Sequence, residues 1–169
     1  LKRLRDADLV ITISMATAMD VTAQLGIPYE RMRVVPLGLP AAPAPEGATP
    51  NAPFVLYANS IEPHKNPHIA VDAVAASNHD THLVMCGLWS RRRREALERH
   101  VVERGMADRV HLLGYIPADH LAALRRDASA VIVPSLFEGF GLPVLEAMAV
   151  GTPVVASDIP ALREAGGAV

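Results

Sequence analysis

The chain of 169 residues is 50% hydrophobic and 20% charged, enough apolar material for a sizeable core and too ordered a composition for an unstructured segment. Its net charge of −2 offers no general field for nucleic acid or anionic lipid, so no nucleic-acid partner is expected. One cysteine rules out an internal disulfide, and no apolar run approaches the ~18 residues of a membrane span, so no transmembrane segment is expected.

From the start of the chain, the pattern predicts a strand over 7–13, a helix from a Ser14 cap to Leu25 and a strand over 32–36. The composition then shifts: Pro40, Pro43, Pro45, Pro50 and Pro53 punctuate an Ala/Gly-rich stretch over 39–53 that reads as a semi-rigid linker. Beyond it, strands near 54–58, 82–86, 109–112, 130–133 and 153–156 alternate with helices near 67–77, 91–104, 118–126 and 143–149. Continuous apolar strands such as Ala130-Val131-Ile132-Val133 suit burial on both faces. The expected fold class is therefore α/β, a doubly wound parallel sheet. Cys86, within His82-Leu83-Val84-Met85-Cys86-Gly87, reads as a small buried core residue of a protein in a reducing compartment.

Two strand-to-helix loops carry chemistry. After the 54–58 strand comes Asn59-Ser60-Ile61-Glu62-Pro63-His64-Lys65-Asn66, and Pro67 opens the next helix, with Asn66 as its expected cap. Lys65 thus lies on the carboxyl side of a strand, where open α/β sheets bind ligands, and its ammonium suits a diphosphate. After the 130–133 strand comes Pro134-Ser135-Leu136-Phe137-Glu138-Gly139-Phe140-Gly141-Leu142-Pro143-Val144-Leu145-Glu146-Ala147. Its glycines permit close approach to the backbone, and Pro143 suits a first helical turn whose free amides favour anions. Glu138 falls in the turn, and Glu146 about one turn into the helix, so the pair can grip two parts of one ligand. Separately, each glutamate would read as an ordinary helix-start or surface residue; the glycine turn between them favours a binding role.

The segment Glu138 to Ala147 resembles the signature of the retaining nucleotide-sugar glycosyltransferases of the GT-B fold, especially glycosyltransferase family 4: Glu-Gly-Phe-Gly-Leu-Pro-x-Leu-Glu-Ala. The 59–66 loop resembles that family's Gly-Ser/Thr-Ile-Glu-Pro-Arg-Lys-Asn loop, with Asn59 in place of glycine and His64 in place of arginine. The resemblance implies that Glu138 contacts the donor sugar, that Glu146 holds the ribose hydroxyls, and that the Gly139, Phe140, Gly141 and Leu142 amides face the sugar and diphosphate. It implies that Lys65 contacts the diphosphate and stabilises the departing nucleotide, and it places Ser60 among the donor-binding residues. Val110-His111-Leu112-Leu113-Gly114-Tyr115-Ile116-Pro117 resembles the strand and loop beside the base, which Tyr115 and Ile116 would read through backbone groups. It further implies a Rossmann-like C-terminal half incomplete at both ends, with 1–38 the end of an N-terminal acceptor domain, 39–53 the linker and 54–169 the nucleotide-sugar domain. The expected partners are a nucleotide sugar, a glycan or lipid-linked acceptor and the missing N-terminal domain. No metal or other cofactor is expected, and the location is cytoplasmic, at most peripheral to the inner membrane face.

Other features point less far. Arg91 to Arg94 form a basic run, yet Glu95 and Glu98 stand four positions from Arg91 and Arg94 and predict a solvated, ion-paired helix face. His64 and His68 have the spacing of a helical metal pair, but a helix starting at Pro67 does not put them on one face. No P-loop, dinucleotide glycine fingerprint or nucleophile elbow occurs. The expected activity is retaining hexosyl transfer, mannose being the favoured sugar, with an isolated donor half expected to turn over poorly. The alternatives are a nucleotide-sugar-binding module without turnover and a GT-B epimerase or phosphorylase.

Overall fold

The computed structural model describes residues 2–77 and 80–167; the outer limits of the expected domains, residues 1 and 169, lie outside them. A single helical turn, Lys2–Arg5 (α1), precedes a small unit in which Val10–Thr12 (β1) pairs in parallel with Met32–Val34 (β2). Between them runs Met15–Leu25 (α2), which starts where its cap predicts: Ser14 Oγ accepts from the Thr17 amide at 2.9 Å. Val10, Ala18, Ile27 and Met32 form the core of this unit. The strands are shorter than the expected 7–13 and 32–36, and Leu9 and Ile11 are exposed.

No helix or strand occurs over 36–53, but the stretch is tied to the domain that follows. The Glu46 amide donates to the Asp119 carbonyl, Thr49 to the Asp127 carboxylate, and the His120 ring meets the Ala48 carbonyl at 2.8 Å.

Five strands then form one sheet: Phe54–Ala58 (β3), His82–Cys86 (β4), Val110–Gly114 (β5), Ala130–Val133 (β6) and Val154–Ala156 (β7). Their order is β5-β4-β3-β6-β7, and every pair is parallel. Pro67–Ala76 (α3), Arg91–Glu103 (α4), Ala118–Asp127 (α5), Leu142–Met148 (α6) and Pro160–Gly166 (α7) cover it. Strand alternation sends Phe54, Leu56, Val84 and Cys86 to one face, against Leu124, Val144 and Leu162, and Tyr57, Leu83 and Met85 to the other, against Val71 and Leu97. Both faces are therefore buried, as the doubly wound expectation requires. The chain builds outward from β3 to β5, then returns to lay β6 beside β3. That reversal makes the carboxyl ends of β3 and β6 the place where a crevice opens.

One local expectation needs correction, and one helix was not expected. Asn66 stands at the N-cap position of α3 but makes no side-chain capping bond; it adopts φ 52°, the only positive φ of a non-glycine among the described residues. A 3₁₀ turn over Pro63–Lys65 precedes it, and a left-handed residue reverses the chain from that turn into α3. Helix α7 lies beyond the last expected element, the 153–156 strand; its signal was Ala161, Leu162 and Ala165, all buried, behind a first-turn proline. The basic run behaves as expected, with Arg91 to Glu95 and Arg94 to Glu98 each 2.8 Å apart on α4. Among the described residues, no helix is long and apolar enough to cross a membrane.

Candidate active site

The loops after β3 and β6 meet at the crevice. Their backbones join through the Leu136 amide, which donates to the His64 carbonyl at 2.7 Å. Lys65 Nζ reaches Glu138 Oε2 at 2.7 Å, with side-chain exposures of only 17% and 8%. Ser135, fully buried at the end of β6, donates to the other carboxylate oxygen, Oε1, at 2.8 Å. Glu138 is thus held at both oxygens. Lys65 keeps two of its three N–H donors for another acceptor.

Beneath the loop, Tyr57 is fully buried and its hydroxyl donates to the Ser60 carbonyl at 2.6 Å, with Lys65 O close by at 3.3 Å. Burial, with the Glu138 charge adding to it, pushes the Tyr57 phenol well above its ordinary range, so it acts as a fixed donor. Sequence reasoning assigned roles to neither Tyr57 nor Ser135. The available signal was a polar group at the mouth of an otherwise apolar strand.

Ser60, Tyr115 and Ile116 come together around a cavity of about 330 Å³ over the ends of β3, β4 and β5 that Asn59, Cys86 and Gly87 also line. Cys86 faces this cavity from the core, and burial, which the Arg125 charge opposes, pushes its thiol up to about 11. We expect iodoacetamide at pH 8 to alkylate Cys86 many times more slowly in the folded chain than in denaturant. Equal rates would place the thiol outside the core.

The glycine turn has a mixed geometry. Gly139 has an ordinary φ, and its carbonyl accepts from the hydroxyls of Ser14 (2.5 Å) and Thr17 (2.9 Å) at the start of α2. The Phe140 ring is buried. Gly141 is left-handed (φ 104°) and lies against α7, where an added Cβ would stand 2.9 Å from Leu162. Leu142 begins α6 and Pro143 follows in its first turn. The N-terminal unit is fastened here twice, since the Met15 and Ala16 amides also donate to the Glu164 carboxylate at 2.8 and 3.1 Å. A carboxylate at the start of α2 suits both its free amides and its dipole.

Glu146 does not join Lys65 and Glu138 directly. Its Oε2 accepts from Arg125 Nη2 on α5 at 2.6 Å. Among the described residues, no group of three or more His, Cys, Asp or Glu side chains is placed to hold a metal ion. His68 lies edge-on to the His100 ring, with centroids 4.6 Å apart.

A parallel sheet of this order, with a cation and a carboxylate meeting at its reversal point and a glycine turn opening α6, is an open α/β sheet with a built crevice at its topological switch point, the place where such folds bind ligands. The comparisons with known proteins carry this further: the chain belongs to the family "Glycosyl transferases group 1", whose model matches residues 40–167. It is 33% identical over 160 residues to the MMP alpha-(1->4)-mannosyltransferase of Mycolicibacterium hassiacum, covering 94% of this chain and 39% of that protein. It is 29% identical to O-antigen chain mannosyltransferase B of Escherichia coli, covering 97% of this chain and 47% of that one. Among solved structures, sucrose-phosphate synthase from Thermosynechococcus elongatus superposes with a TM-score of 0.80 at 29% identity, over 95% of this chain and 43% of its own. Anabaena HepE, in complex with UDP and glucose, shares the fold with a TM-score of 0.81 at 24% identity, over 94% of this chain and 46% of its own. The chain spans less than half the length of each of these proteins.

Proposed function

We propose that this chain supplies the donor site for retaining transfer of a hexose from a nucleoside diphosphate sugar to a glycan or lipid-linked acceptor, by an enzyme of glycosyltransferase family 4. The observation that carries the reading is the Lys65 to Glu138 contact of 2.7 Å at the reversal point of the sheet. Lys65 directs its remaining N–H groups at the diphosphate and offsets the charge that develops as the nucleotide leaves. Glu138, fixed at both oxygens, orients the sugar. The amides of Gly139 to Leu142 face sugar and diphosphate, Glu146 takes the ribose, and the cavity lined by Ser60, Tyr115 and Ile116 takes the base. Catalysis on this reading is positioning and electrostatics, with no resident metal. The β1-α2-β2 unit is the closing part of an acceptor domain, joined by 39–53 to the donor domain. Mannose is the favoured sugar, since two of the relatives above are named mannosyltransferases.

Calorimetric titration of the chain with GDP-mannose, UDP-glucose, GDP and UDP tests this. We expect saturable binding of at least one nucleoside diphosphate and its sugar, tightest in the GDP series. No binding of any of the four would overturn the donor-site reading, and preference for UDP-glucose would overturn mannose alone.

A further inference from the structure

Arg125 is a buried charged residue, 8% exposed on a helix whose neighbouring Ala122, Ala123 and Leu124 are buried with it. An arginine in such a place is costly to the fold unless a partner meets it, and an apolar side chain would serve a core better. The partner here is unequally placed: the Arg125 side chain is 10% exposed and that of Glu146 is 33% exposed, with 2.6 Å between them. Glu146 Oε2 is engaged, while Oε1 accepts no hydrogen bond from any described residue. The Arg125 charge also acts on Cys86, which lines the cavity shared by Ser60, Tyr115 and Ile116. The buried member of the pair is an anchor, and the exposed member is what it presents.

We propose that Arg125 is a positioning residue for nucleotide recognition, holding the Glu146 carboxylate in one rotamer so that its free oxygen meets the ribose hydroxyls of a nucleoside diphosphate. This rests on the reading of Glu146 as the ribose ligand. A glutamate free to rotate would lose that freedom on binding; one already held by a planar guanidinium loses little. Lysine in place of Arg125 keeps the charge but fixes the carboxylate through a single flexible ammonium.

The test is calorimetric affinity of the 169-residue chain and of Arg125→Lys and Arg125→Met for UDP and GDP, each beside its 2′-deoxy counterpart, with circular dichroism to confirm folding. In the unsubstituted chain the ribose form should bind about tenfold or more tightly than the 2′-deoxy form, the effect of one hydrogen bond to a charged group. That ratio should fall toward one in Arg125→Met and lie between in Arg125→Lys, whose retained charge keeps the test open if the methionine variant does not fold. A purely structural Arg125 would weaken both forms equally and keep the ratio, which overturns the inference and leaves the ribose reading intact. An unsubstituted chain with no preference for ribose would overturn both.

Discussion

Lys65→Ala is expected to lower affinity for a nucleoside diphosphate about a hundredfold and to cost about 3 kcal/mol of stability. The affinity follows from two charge-assisted hydrogen bonds, each contributing roughly 1.5–3 kcal/mol. The stability follows from what remains: Glu138, with a side chain 8% exposed, keeps Ser135 as a donor but loses its counter-charge. Removing one partner of a buried pair costs roughly 3–5 kcal/mol, and the 17% exposure of the Lys65 side chain places this case at the lower end. The two effects come apart in Lys65→Ala/Glu138→Gln, where the buried charge is gone. Urea titration should show most of the stability restored, and calorimetry should show affinity still lost. Full affinity in the single variant would remove Lys65 from the site.

Gly87→Ala should be the more damaging change to the fold. Three segments cross at this glycine: the Asn59 amide donates to the Cys86 carbonyl, the Gly87 amide to the Gly114 carbonyl, and the Trp89 indole to the Asn59 carbonyl. A Cβ at Gly87 would stand 2.2 Å from the Asn59 carbonyl oxygen and 2.8 Å from its carbon, and φ is +149°. Neither atom belongs to a side chain that can swing away. Overpacking and backbone strain together should cost about 3 kcal/mol or more, which lowers Tm by roughly 6–12 °C in a chain of this size. Gly105→Ala is the control, since Gly105 has φ +66° but nothing within 4 Å of the added atom. It should lose only the roughly 1–2 kcal/mol of a left-handed residue. Equal losses in differential scanning calorimetry would mean that the crossing tolerates a methyl group.

Much of this architecture was legible because it rests on short-range rules. Strands buried on both faces show as unbroken apolar runs, which is why β3, β4 and β6 fall over 54–58, 82–86 and 130–133 as expected. Ser14 announced α2, and Pro67 the start of α3. What sequence could not give were relations across the sheet. Ser135 matters because of where Glu138 turns, and Asn66 goes left-handed because a 3₁₀ turn precedes it. Arg125 looks like surface in a run of Leu-Arg-Arg-Asp, and only the packing of α5 shows that it points inward while Arg126 does not. The site followed the same division: Lys65 and Glu138 were identified on separate loops, and their pairing came from β6 lying beside β3.

The fastening of α2 has a consequence for the way this protein is made. Ser14 finds the Gly139 carbonyl 125 residues later, and the Met15 amide finds Glu164 149 residues later. At a translation rate of roughly 5–20 residues per second, α2 emerges from the ribosome roughly six to thirty seconds before its partners. Throughout that interval the Ser14 and Thr17 hydroxyls and the Met15 and Ala16 amides lack these acceptors, and water must stand in for them on the nascent polypeptide.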